Sequence, residues 1–325
     1  MICISCYDIS TMKIVNNKNL HVILAIAFFS VAGIFIVRYF LNIDLVVLES
    51  IEINWGTQAC AFVVRMGGLF FAPLIWMAIL INNNTSISYS NLYCIYAQSW
   101  VGRYIPGKVV YIGSRIYLAI NAGIDKITAS ISVFLDGILQ FAATLYVAAL
   151  FFLVGGYQLG DDERLIYWVY AISAVMIVCL VPKIFNKFVS LGYRVLRRSQ
   201  IPSEYALKAK PIIQGSVLAL VFKVITGISV SLIALSVYSE LSVWDFLYVA
   251  AVNSVASCIG MLAFFTPAGL GVREGFSIIL LSLIFPREFV LVIVALIAVH
   301  IVIGDVVFFL MSLLYRRMGK DGSRE

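Results

Sequence analysis

Apolar runs of about 20 residues, the length a helix needs to cross the hydrocarbon core of a bilayer, recur along this chain. They cover His21 to Leu41, Ala59 to Ile81, Ile127 to Gly155, Leu165 to Val181, Pro211 to Tyr238, Trp244 to Phe265 and Phe289 to Tyr315. Lipid offers no partner to backbone N–H and C=O groups, so such runs must be helices or closed barrels, and runs of this length specify helices. With 62% hydrophobic and 12% charged residues and a mean hydropathy of +1.01, the 325-residue chain is read as an all-α polytopic membrane protein. Too little sequence remains between the runs for a separate soluble catalytic domain. The expected organisation is a cytoplasmic segment over residues 1–19, one transmembrane domain over 20–315 and a cytoplasmic tail over 316–325.

Two stretches among the runs fail as spans. Trp100 to Gly123 carries Arg103, Lys108 and Arg115 and breaks at Ile105-Pro106-Gly107-Lys108. The second, Phe265 to Glu274, again places Pro267, Gly269 and Gly271 ahead of charge, here Arg273 and Glu274. Non-helical backbone at membrane depth is tolerated only where protein buries it or where it lines a polar space. The pair of breaks therefore points to a polar interior with the spans as its wall.

At the first break, Pro106 suits the first turn of a helix and Gly107 lets backbone N–H groups approach an anion closely. With Gly113 for close approach and Arg103, Lys108 and Arg115 for charge, this is a phosphate-sized receptor. The alternative is a basic interfacial turn that touches lipid head groups without selecting among them. At the second break, Gly269 and Gly271 permit unusual backbone angles. Adjacent helical residues point about 100° apart, so Arg273 and Glu274 are expected to serve different partners. The alternative there is a helix kink with a snorkelling pair at the membrane edge.

Deeper charges are Asp136, Lys223 and Asp305, with His300 on the same run as Asp305. An ionised side chain facing lipid costs on the order of 3 kcal/mol at the bilayer centre, so these should face inward and balance one another, Lys223 with Asp136 or with Asp305. His300 and Asp305, five residues apart, do not share a helix face, which favours a structural role over a proton relay. Arg38 and Arg65 lie near span ends and can snorkel. Cys3 and Cys6 form a lone C-x-x-C without further ligands at zinc-site spacing, and the other four cysteines lie in apolar runs as packing residues, so no metal and no cofactor is expected. Nothing resembles a P-loop, a dinucleotide fingerprint or a Ser-His-Asp triad, and no acidic pair has a spacing suited to transferase chemistry, so the chain is read as a non-enzyme with no nucleic-acid partner.

Lys and Arg collect at the N-terminus, in the first break, in the loop Lys183 to Lys210 and in the tail. The connections Asn42 to Gln58 and Gly156 to Arg164 are acidic. By the positive-inside rule the basic segments are cytoplasmic, which about eight crossings accommodate if Ser88 to Asn121 is a re-entrant hairpin. The arm Arg273 to Phe285 is short for a crossing and stands either as the eighth span or as a half-helix.

Gly102-Arg103-Tyr104-Ile105-Pro106-Gly107-Lys108 with Gly113 and Arg115, followed far downstream by Pro267-Ala268-Gly269-Leu270-Gly271-Val272-Arg273-Glu274, resembles the two signature segments of the lysylphosphatidylglycerol synthase transmembrane-region family. The first segment is similar to that of members encoded among surface-polysaccharide genes of bacteria and archaea. The resemblance implies a flippase-like bundle with re-entrant helices around a cavity for the head group of an anionic lipid or lipid-linked intermediate. Full-length synthases carry a soluble aminoacyl-transferase domain after the membrane part; this chain shows none before Glu325, so lysyl transfer is not expected. Many members also carry an acidic residue soon after the first Pro-Gly segment, where this chain has Ser114.

The expectation is an inner-membrane protein that binds an anionic lipid or isoprenoid-phosphate-linked glycan, with translocation as the further step. Arg103, Lys108, Arg115 and Arg273 would hold phosphate, and Asp136, Lys223, Glu274, His300 and Asp305 would balance charge. The competing reading is a non-transporting accessory subunit whose basic loop, Lys183 to Lys210, docks glycosyltransferases or other polysaccharide-assembly proteins.

Overall fold

The computed structural model describes residues 51–81, 85, 87–105, 109–155, 164–197, 205–263 and 266–321. The first apolar run and Cys3 and Cys6 lie outside them. All regular structure among the described residues is helical. Trp55–Ile81 forms α1, Tyr89–Trp100 forms α2, and a 3-10 turn at Val101–Tyr104 leads toward α3, Val109–Asn121. Then come α4, Lys126–Gly155; α5, Arg164–Cys179; α6, Pro182–Arg197; α7, Ala209–Val237; and α8, Val243–Leu262. A second 3-10 turn, Pro267–Gly269, precedes α9, Val272–Leu281, and α10, Arg287–Asp321, ends the described chain.

Five of these helices, α1, α4, α7, α8 and α10, are long and apolar enough to cross a membrane, or six with the bent pair α5 and α6 taken as one span. This is a multi-pass membrane protein, with fewer crossings among the described residues than the eight expected. Part of the difference has a plain cause. At ten residues, α9 is about 15 Å long, half the hydrocarbon thickness, so the arm after the second break is a half-helix. The 12 residues of α2 and 13 of α3 are likewise too short to cross, and the two pack against each other.

Helix α7 stands at the centre, against α1, α4 and α8. Its buried face is rich in small residues, including Gly215, Ala219, Gly227, Ser229, Ala234 and Ser236, which allow close helix approach where lipid offers no hydrophobic drive. A Cβ on Gly215 would lie 2.5 Å from Leu139, and one on Gly227 3.1 Å from Ala250. Along the seam with α1, Ser229 donates to the Ala61 carbonyl at 2.8 Å and Gln58 donates to Ser236 at 2.7 Å. Helix starts are set by local chemistry. Ser242 and Asp245 accept each other's backbone N–H groups at the head of α8, and Asp125 accepts from Ile127 and Thr128 ahead of α4. Of the cysteines read as packing residues, Cys258 is buried but Cys60 is exposed on α1.

Candidate functional site

The two breaks, more than 160 residues apart in sequence, meet in space. Tyr104 of the first and Leu270 of the second are buried together, with Val101, Ala268 and Val306 of α10 around them. Backbone geometry sets the approach. Gly102 lies so close to α3 that a Cβ would sit 2.9 Å from backbone atoms of Tyr111. In the second break Ala268, Gly269 and Gly271 all adopt positive φ, at +52°, +76° and +84°, and a Cβ on Gly269 would lie 2.8 Å from the carbonyl oxygen of Gly260 on α8. Only glycine fits at that contact, while Ala268 holds a left-handed conformation at a cost.

Asp305 of α10 is the carboxylate at this junction. It is 2% exposed and collects donors from three elements. Arg65 of α1 reaches Oδ1 at 3.2 Å, Trp100 Nε1 donates to the same oxygen at 3.1 Å, and Tyr104 donates to Oδ2 at 2.7 Å, which also accepts from Arg103. The Arg103 guanidinium lies over the Trp100 ring, 4.6 Å from its centroid, and 5.1 Å from that of Tyr104. Arg65 also donates to the Ile301 carbonyl, and Gly304 makes room for it, since a Cβ there would lie 2.7 Å from Arg65 Nε. Arg65 therefore does not snorkel; α10 presents a carboxylate and a glycine opposite it. The buried Nε atoms of Arg65 and Arg103 have no hydrogen-bond partner among the described residues.

A second node lies between α3 and α4. Arg115 is fully buried and donates through Nη1 to Asp136 at 2.6 Å, through Nε to Ser99 at 3.2 Å and through Nη2 to Tyr111. Its guanidinium is 3.8 Å from the Tyr96 ring centroid and 4.6 Å from that of Tyr111. Gln140, one turn after Asp136, bridges Asp136 Oδ2 and the Tyr96 hydroxyl, both at 3.0 Å. All three guanidinium nitrogens are engaged within the protein.

The remaining expected residues fall as follows. Arg273 and Glu274 are both buried and pair with each other, against the expectation of separate partners. One Glu274 oxygen accepts from Arg273, and the other accepts the Gly271 N–H at 2.7 Å, a cap that fixes the carboxylate in place. Lys223 makes no ion pair with Asp136 or Asp305, because arginines already occupy both; its Nζ lies 5.0 Å from the Phe222 ring centroid, within electrostatic reach of Asp136 and Arg103. His300 engages the Leu296 carbonyl at 2.9 Å and meets Phe62 edge-on, away from Asp305. Gly113 is exposed on α3 and Pro267 opens the second turn. Pro106, Gly107 and Lys108 lie outside the described residues. No group of three or more His, Cys, Asp or Glu with metal-holding geometry occurs among the described residues.

Trp100 and Tyr104 join the junction without a role assigned from sequence, and Arg65 joins it in place of the snorkelling role expected of it. An aromatic residue on either side of Arg103, and an arginine alone within an apolar run, were the available signals. Across the two nodes and the Arg273 pair, five cations (Arg65, Arg103, Arg115, Lys223 and Arg273) face three carboxylates (Asp136, Glu274 and Asp305). The chain matches no family model, no curated protein and no solved structure.

Proposed function

We propose that the junction of the two breaks receives the phosphate of an anionic membrane lipid or of an isoprenoid-phosphate-linked glycan. The observation that carries this reading is the surplus of cations beside Asp305. Two arginines on one carboxylate, with Arg273 and Lys223 within the same electrostatic neighbourhood, leave buried positive charge that an anion would neutralise. Arg103 is the residue assigned to the phosphate. It is the most exposed of the junction arginines, at 19%, and its planar fork suits two phosphate oxygens. Arg115 is reassigned from head-group contact to a strut, since its donors are engaged internally. The motif resemblance points to the same ligand class, and translocation, a cytoplasmic-membrane location and cytoplasmic termini belong to this reading.

The test is native mass spectrometry of the protein in gentle detergent. Wild type should retain a phosphate-bearing lipid that Arg103→Gln loses, while the unfolding temperature moves by only a few degrees, because the Arg65–Asp305 pair persists. Equal retention by both proteins would remove the assignment, and Lys108→Gln would then show whether Lys108 holds the phosphate instead.

A further inference from the structure

Helix α6 is divided lengthwise. At 100° per residue, Lys183, Lys187 and Arg194 fall on one row, and Ile184, Phe185, Phe188, Val189 and Leu191 spread over the opposite side. Among the described residues, only one edge of that apolar side packs against the protein. Phe185 is buried in the core with Val189 beside it, and the Asn186 side chain both donates to and accepts from the backbone of Leu207, each at 2.9 Å. The other edge is open: Phe188 is 60% and Leu191 57% exposed. The basic row is exposed as well, and none of its three cations pairs with a carboxylate among the described residues.

What covers this edge follows from where the helix sits. Its axis turns by 81° from α5. Helix α5 exposes Tyr167, Trp168, Ile172, Val175, Ile177 and Val178, an apolar wall of the kind that faces acyl chains. Val181, exposed at the corner, carries that wall round to Phe188 and Leu191. With α5 as the arm of the bent pair that enters the bilayer, a helix leaving it at nearly a right angle runs along the membrane surface. There an apolar edge meets acyl chains and a basic row beside it meets phosphates.

We infer that α6 is an interfacial helix that binds anionic phospholipid, with Phe188 and Leu191 in the acyl boundary and Lys183, Lys187 and Arg194 on the head groups. This surface is separate from the Asp305 junction and does not depend on the function proposed for it. Near an anionic surface each cation contributes roughly a fivefold preference, so the row should favour anionic over zwitterionic lipid by more than about tenfold.

The test uses the full chain in nanodiscs of phosphatidylcholine alone or mixed with phosphatidylglycerol. In a variant with the native cysteines replaced by alanine, a nitroxide at F188C should be shielded from an aqueous nickel chelate and open to oxygen, and one at K187C should show the reverse. The variant K183Q/K187Q/R194Q should lose the preference for phosphatidylglycerol about tenfold or more, and K183R/K187R should keep it, which separates lost charge from misfolding. Equal chelate access at the two positions, or an unchanged lipid preference in the triple variant, would overturn the inference. So would shielding at residue 188 that disappears on dilution into excess lipid, which would assign the edge to another protein surface.

Discussion

Asp136 and Asp305 are both carboxylates buried in long apolar helices and both meet arginine, yet their surroundings are finished differently. Asp136 has one arginine, and Ser99, Tyr111, Gln140 and the ring of Tyr96 surround the pair, leaving 1% and 0% exposure, although Asp136 Oδ1 has no hydrogen-bond partner among the described residues. Asp305 has two arginines, 11% and 19% exposed, and stands where two non-helical turns meet. Burying a charge pair costs desolvation that its partners must offset, and each node leaves a buried polar atom unpartnered among the described residues, so the two differ in net charge and in exposure. A node that is balanced and sealed holds helices in register. A node with surplus cation and residual exposure has charge left for something that arrives.

The contrast predicts a ranking. The largest effect should come from Asp136→Asn, which strands Arg115 in a dry shell and should destabilise the protein by about 3–5 kcal/mol. Thermal unfolding in detergent would measure it, and no added lipid should repair it. Asp305→Asn should cost less, on the order of 1–3 kcal/mol, because the amide oxygen still accepts from Trp100, the Tyr104 hydroxyl can turn to accept from the amide N–H, and the arginines have partial access to solvent. That loss should shrink when phosphatidylglycerol is added, since an anion bound to the arginines stabilises the folded state by mass action. If the two variants lose the same stability and neither responds to lipid, the distinction between a strut and a receptor collapses. Next comes Gly269→Ala. Its Cβ would press on the Gly260 carbonyl from a positive-φ position and should cost about 1–3 kcal/mol while lowering lipid retention, because the second break would no longer lie flat on α8. Retention that survives a measured loss of stability would detach the second break from the receptor.

How much of this was readable beforehand differs between the nodes for physical reasons. Run length and hydropathy are local, so α1, α4, α7, α8 and α10 were visible as spans, and Pro with Gly marked both breaks. Pairing across the bundle is not local. Depth and opposite charge make Lys223 the expected partner of Asp136 or of Asp305, yet arginines hold both. The partner of Asp136 is Arg115, since the short connection at Gly123 leaves α3 packed against α4 and a guanidinium can donate to more groups than an ammonium can. Arg65 looked like a snorkelling residue because sequence position cannot reveal that Gly304 and Asp305 stand opposite it. Arg273 and Glu274 were assigned separate partners from helical angles alone, which omit the capping bond to Gly271 that swings the glutamate back across the turn.

Asp125 supplies the exposed end of the same scale. It accepts from the N–H groups of Ile127 and Thr128 at 2.9 and 3.1 Å, much as the buried carboxylates accept from arginine, but water competes for every one of its bonds. Chiefly through the Thr128 N–H, its carboxyl is held below the ordinary value of 3.8. A depressed folded value means that its stabilisation is present above the unfolded value and disappears as pH falls through the folded one. Asp125→Ala should therefore cost no more than about 1 kcal/mol at neutral pH. The gap between wild type and variant should stay constant down to about pH 4 and close below it, as the wild-type carboxyl takes up its proton. A gap that persisted on acidification would mean that the protonated acid still stabilises α4 and that its role is not a charged cap. A gap as large as that of Asp305→Asn would mean that burial does not set the ranking, and the inference of a receptor from residual exposure at Asp305 would lose its scale.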